Sequence, residues 1–342
     1  MLSFTRLDTA RTFRGLSTEE ACTRLGLDIR QWQSFEADGA PVALAEQLTI
    51  ALGFRQSFFY RPALSDASQA RGAFRAKARV SSRTRQAARA SSLIGTEVYH
   101  WVRAHFSLPA LDVPDLSNET PQMAAQLLRS IWNLGTRPAP NLVQLCESRG
   151  ISVAGLGLED LLEETHEPVD AFSLWDDGRP YIFTARRRSP EGERFTLAHE
   201  LGRLVMHPND PTTPEAESEA DAFAAEFLIP HTACFEYLPY NPSLERLLEF
   251  KTAFRVSAIA AARRVHEVGR CSDWHYTELN RILTLRGFRS AEPGGRTFYE
   301  RSRVFDTIAG NEKYSLHDMA TELGLPTELA RSFALQTRLA VV

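Results

Sequence analysis

The sequence predicts a mostly α-helical chain with one α+β domain. Three observations carry that expectation: cap and periodicity signals for short helices fill the first 60 residues, prolines crowd the stretch 109–121, and three β-like runs lie among helices between residues 151 and 185. At 342 residues the chain exceeds what one small core organises, so two or more folding units are expected.

Ser17, followed by Glu20 at capping-box spacing, opens a helix that Gly26 ends. Asp28 caps the next, which runs to about Glu36, and Pro41 starts a third that reaches about Leu52. Two short helices joined by a Gly-containing turn are the geometry of a helix-turn-helix. Ile29, Trp32 and Phe35 recur at helical spacing and should face inward, which leaves Arg30, Gln31, Gln33 and Ser34 pointing out. Arginine pairs bidentately with guanine and glutamine with adenine, so this face suits base readout. Any small helical bundle also keeps polar residues outside, and spacing alone does not separate the two readings.

Between residues 67 and 96 there is no acid, while basic residues accumulate from Arg71 to Arg89. A helix is expected from Ala73 to Leu93, continued from Thr96 to Phe106, either touching phosphates or simply facing solvent. The opposite bias follows at 156–170, which is acidic, and the net charge is only −4. LPALDVPDLSNETP is the expected linker.

Beyond it, helices over Gln122 to Leu134 and Asn141 to Arg149 precede the β-like runs ISVAGL, AFSLWDD and RPYIFTA, the last two turning around Gly178. Further helices are expected from about Glu193 to Met206, from Glu215 to Leu228, around Asp273 to Leu285 and from Leu316 to Leu323, with no internal repeat apparent. Cys22, Cys146, Cys234 and Cys271 form no CxxC pair, which argues against a disulfide scaffold or a cysteine-built zinc site. With neither a signal peptide nor an apolar run of 18 residues, a cytoplasmic protein with no membrane partner is expected.

The most specific chemistry lies in FTLAHELGRLVMH, residues 195–207. In an HExxH helix two histidines one turn apart grip zinc, the glutamate beside the first is a general base, and another helix supplies the third ligand. His199 and Glu200 stand at the first two places, but position 203 is Arg203. A guanidinium stays protonated and offers no lone pair. His207 lies eight residues from His199. That is roughly 12 Å along a helix axis, too far to share one ion.

GLSTEEACTRLGLDIRQWQSFEADGAPV, with ALGFRQSFFYRP behind it, resembles the XRE (Cro/C1-type) helix-turn-helix family, departing at Thr18, where glutamine is usual, and at Phe35, where tryptophan is usual. FTLAHELG followed by ESEADAFAAEFLIP resembles the ImmA/IrrE family of zinc peptidases. PNLVQLCESRGISV, VDAFSLWDDGRPYIF and HYTELNRILTLRGFRSAEPG are similar to proteins that join the two units.

The resemblance implies four segments: a helix-turn-helix at 1–62, a basic helical connector and linker at 63–115, a zincin-like α+β core with a small sheet at 116–270, and a helical C-terminal tail at 271–342. It implies a transcription regulator bound to double-stranded DNA as a homodimer, with Thr18, Ile29, Arg30, Gln31, Gln33 and Ser34 at the DNA. His199 and Glu217 become metal-ligand positions, Glu200 the general base of an active enzyme and Asp221 a supporting carboxylate, with Glu219 the poorer ligand. With Arg203 in a ligand seat, no zinc or weakly bound zinc is expected, and Arg203 should pair with Glu217 or Glu200. The peptidase-like half then senses a signal or engages a protein partner such as a toxin, a repressor or a substrate. Two alternatives stand beside this: an active zinc endopeptidase cleaving a repressor or antitoxin, and an antitoxin-like protein that binds a toxin.

Overall fold

A computed structural model describes residues 1–64, 80–167, 169–186, 188–208 and 213–335. Arg71, Arg75, Lys77 and Arg79 of the basic stretch, and Pro211, lie outside the described residues. The chain opens with α1 (Phe4–Phe13), α2 (Thr18–Leu25), α3 (Ile29–Asp38), a 3-10 turn at Val42–Leu44, α4 (Ala45–Leu52), α5 (Gln56–Tyr60) and α6 (Ser82–His105). Then come α7 (Pro121–Ile131), α8 (Leu142–Ser148), β1 (Ser152–Gly155), α9 (Glu159–Thr165), β2 (Ala171–Asp176) and β3 (Arg179–Thr184). Next follow α10 (Pro190–Met206), α11 (Pro214–Leu228), α12 (His231–Tyr237), α13 (Leu244–Phe254), α14 (Ala258–Glu267) and α15 (Asp273–Leu285). The last elements are α16 (Arg303–Ala309), α17 (Leu316–Leu323) and α18 (Thr327–Phe333). Among the described residues no helix is long and apolar enough to cross a membrane.

By internal contact the chain divides into two units, and both are discontinuous. The first comprises Met1–Ala110, Gly150–Ala185 and Arg301–Val342; the second comprises Leu111–Arg149 and Arg186–Glu300.

In the first unit β3 is the central strand of a three-stranded sheet, parallel to β1 from Ser152↔Tyr181 to Gly155↔Thr184 and antiparallel to β2. Asp177 and Gly178 both take positive φ (46° and 67°), the conformation a tight hairpin turn of this hand requires. Helix α6 packs on the sheet closely enough that a Cβ on Gly95 would lie 2.3 Å from Phe183. Tyr99 fixes the register by donating to Val153 O (2.7 Å) and accepting from Val153 N (2.9 Å). One apolar core runs through the unit, taking in Phe13 and Phe58 near the N-terminus, Phe183 in the sheet, and Phe305 and Phe333 near the C-terminus.

The helices α2 and α3 form as their caps dictate. Ser17 and Glu20 make one capping box, Asp28 and Gln31 make a second, and Gly26 ends α2 in the left-handed region. Trp32 and Phe35 are buried, but Ile29 is 39 % exposed, contrary to the inward position expected for it. A stripe repeating every third residue drifts about 60° round a helix per step, so only part of such a stripe can face the core.

Within the second unit the proline-rich stretch is tied down from Leu111 onward. Arg149 pairs with Asp112 at 2.6 Å, Trp132 Nε1 donates to Asp112 O, and Leu116 N donates to Val205 O at 2.7 Å. Arg129 is buried beneath the end of α11 and donates to Phe227 O, Gly135 O and Arg137 O; burial lowers its pKa to about 10, against the pull of Glu226. Glu300 accepts from Arg194 and Arg296 and from Leu142 N, a buried knot that joins the start of α8 to α10. All four cysteines are buried and free.

Candidate functional site

Helices α10 and α11 share one design. Each opens with a hydroxyl cap followed by proline, Ser189 with Pro190 and Thr213 with Pro214, which suits a first turn that needs no amide donor. Their close approach is set by Gly202, where a Cβ would sit 2.7 Å from the Phe223 ring. His199 and Arg203 are one turn apart on α10, as are Glu217 and Asp221 on α11, so the packed pair brings a cationic edge against an anionic one.

The four side chains interlock. His199 Nδ1 lies 2.8 Å from Asp221 Oδ1, His199 Nε2 lies 3.5 Å from Glu217 Oε2, and Arg203 Nη1 donates to Glu217 Oε1 at 2.6 Å. Arg203 is buried (5 % exposed), Glu217 is partly open (36 %) and Asp221 reaches solvent (64 %). The Arg203–Glu217 pair is one of the two pairings, with Glu217 or Glu200, that the sequence led us to expect. Burial alone pulls the His199 pKa down, but hydrogen bonds to Asp221 and Glu217 and the charges of Glu200 and Glu217 outweigh it and raise the pKa to about 10. Burial pushes the Glu217 carboxyl up, while His199 and then Arg203 hold it below its ordinary value. Glu200, next to His199 on α10, is buried. His207 belongs to a separate pair, its Nε2 3.2 Å from Glu219 Oε2.

Zinc needs unprotonated donors converging on one point. Here one Glu217 oxygen is held by a guanidinium, and the position one turn after His199 carries a side chain with no lone pair. Among the described residues no group of three or more His, Cys, Asp or Glu is disposed to hold a metal ion. The donor set does not fit zinc.

Residues 155–266 match the family model of the IrrE N-terminal-like domain. That span runs from the end of β1 to near the end of α14 and contains the whole α10–α11 cluster, which places the HELG motif of the IrrE-like segment on the helix that carries Arg203. Among curated proteins none matches the chain.

The residues proposed for DNA contact lie in the first unit. Thr18 is the partly exposed first residue of α2, and Ile29, Arg30, Gln31, Gln33 and Ser34 are exposed along α3. Gln31 Oε1 accepts from Asp28 N at 2.9 Å and Ser34 Oγ donates to Gln31 O at 2.8 Å, so these two are partly committed to the helix itself. Arg30 and Gln33 project with no hydrogen-bond partner among the described residues. Gly202 and its role in the helix approach were missed in the sequence. The signal was there, a glycine one residue before Arg203 inside a helix that has no local need of one.

Proposed function

We propose that this chain is a DNA-binding transcription regulator whose IrrE-like segment has ceased to be a metallopeptidase and serves to sense a ligand or bind a partner protein. The observation that carries the reading is buried Arg203, standing one turn after His199 and bonded to Glu217 at 2.6 Å. A permanent cation there supplies the charge that an ion would bring, without its Lewis acidity.

DNA binding is supported by the capped α2–α3 pair, which buries Trp32 and Phe35 and leaves Arg30 and Gln33 open. A homodimer on a palindromic double-stranded operator is part of the proposal, because one reading helix touches too few bases for useful selectivity. So are a cytoplasmic location, the four segments 1–62, 63–115, 116–270 and 271–342, and a toxin, repressor or other protein as partner.

Metal analysis and a mobility-shift assay with the gene's own promoter, run on one full-length sample, test both halves. Sub-stoichiometric zinc is expected, together with promoter binding that Arg30→Ala with Gln33→Ala weakens by roughly ten- to a hundredfold. Stoichiometric zinc held by His199 with cleavage of a partner protein would replace this reading with that of an active endopeptidase.

A further inference from the structure

Residues 301–335 align with residues 3–37 in one register without a gap, identical at nine of 35 positions. Asp8 and Thr9 correspond to Asp306 and Thr307, Ser17 to Ser315, and Thr23 to Thr321. Leu25, Gly26 and Leu27 correspond to Leu323, Gly324 and Leu325, and Ser34 and Phe35 to Ser332 and Phe333. The backbone agrees. Helices α2 and α17 are each 8 residues long, each opens on a capping box, and each ends on a left-handed glycine, Gly26 (φ 64°, ψ 30°) and Gly324 (φ 70°, ψ 23°). The buried positions coincide too: Leu7 with Phe305, Ala10 with Ile308, Leu25 with Leu323, Trp32 with Ala330 and Phe35 with Phe333. Caps alone recur in many helix pairs. A shared register of caps, turn and core positions across three helices marks a duplicated unit.

The copies differ in what their outer faces meet. In the N-terminal copy Ile29, Arg30, Gln31, Gln33 and Ser34 are exposed. In the C-terminal copy the counterparts of Thr18 and Gln31, which are Leu316 and Leu329, are buried, and a Cβ on Gly157 would lie 2.6 Å from Leu329. Ser332, the counterpart of Ser34, donates to Glu159 at 2.5 Å, and its carbonyl oxygen lies 2.1 Å from where a Cβ on Gly155 of β1 would be. Thr327, at the place of Ile29, is bonded by Arg55, which also holds Thr321 and donates its backbone N–H to Gly324 O. A Cβ on Gly324 would fall 2.3 Å from Phe58 N of α5. On α18 only Glu328 and Arg331 are exposed, and Glu328 puts a carboxylate where Arg30 has a cation, the wrong sign for a phosphate surface.

We propose that the C-terminal copy is a helix-turn-helix whose reading face has become a docking face, with β1 and α5 of its own unit as fixed partners. Its duplicate keeps the open face. Helix α6 meets both: Glu97 pairs with Arg6 of the first copy, while Tyr99 packs on Phe305 and Trp101 donates to Glu322 of the second.

Hydrogen exchange on the full chain tests the docking without reference to DNA. Gly155→Ala, placed in β1 and outside both copies, is expected to speed exchange over residues 327–333 by roughly tenfold, and Leu329→Ala to do the same from the other side of the contact. Unchanged exchange in both variants overturns the docking. A second arm rests on the DNA-binding reading: Glu328→Ala with Arg331→Ala should leave promoter affinity unchanged, whereas a loss equal to that of Arg30→Ala with Gln33→Ala makes this copy a reader and overturns the proposal. If the wild type binds no promoter, that reading fails, while the exchange result still decides the docking.

Discussion

Arg203 does two jobs at once: it neutralises Glu217 inside a helix–helix contact and it ties α10 to α11. Removing it takes away one of the two cations that face Glu217, the other being His199. Because Glu217 is partly open to water, Arg203→Ala is expected to cost about 1–2 kcal/mol, less than a fully buried pair, read from the urea unfolding midpoint. Arg203→His probes the proposed ligand geometry directly. If only the ligand has changed, zinc measured by equilibrium dialysis rises; no uptake would mean that the surrounding cluster has shifted as well. The imidazole carries its own prediction. With a folded pKa raised to about 10 against an ordinary 6.5, protonated His199 contributes stability that is fully present below pH ~6.5 and is lost as the pH rises through 10. NMR titration should therefore find His199 still protonated at pH 8, and an apparent pKa near 6.5 would sink the interlocked arrangement of His199, Glu217 and Asp221.

Helix α10 meets α11 where Gly202 admits the Phe223 ring, and that approach puts the two charged edges within bonding distance. Gly202→Ala would press a methyl into a ring that is itself fully buried, so the helices must part; a loss of about 1–3 kcal/mol is expected in thermal unfolding, with His199 losing part of its raised pKa. Elements of this kind were legible to different degrees. Those that announce themselves by caps and prolines, α2, α3, α7, α10, α11 and α17, could be placed from the sequence, as could the β2–β3 hairpin through its Asp-Gly turn. The short helices α9, α12, α16 and α18, 7 residues each, carry too few apolar positions to show a period, and tertiary packing decides them. Ile29 failed for a related reason: a spacing of three looks like a face but walks round the helix. The HELG cluster was legible because its chemistry is local to two helices, whereas the duplication was not, since its identities are scattered and its caps and buried positions align only once the backbone is known.

The discontinuous first unit sets the consequence at the scale of the whole chain. Its parallel β1–β3 pairing and the docking of α18 on β1 join segments far apart in sequence, which a reading along the chain divides into successive pieces. The helix-turn-helix proposed for residues 1–62 is easily imagined as a bead on a linker, and a bead leaves the rest intact when it is cut away. Here Phe13, Phe54, Phe58 and Phe59 share one buried core with α6, the sheet and α16 to α18, while Arg6 supplies the buried partner of Glu97. Deleting residues 1–62 would expose the apolar faces of α6 and α17 and leave Glu97 without Arg6 or Arg61. The truncated chain is therefore expected to lose cooperative unfolding of the first unit and to bind a hydrophobic dye, as monitored by near-UV circular dichroism and fluorescence. A soluble 63–342 fragment with a native near-UV spectrum would show instead that the N-terminal helices merely rest on a unit that is complete without them. Point substitutions on α3, rather than deletion, are the way to separate the proposed DNA contact from folding.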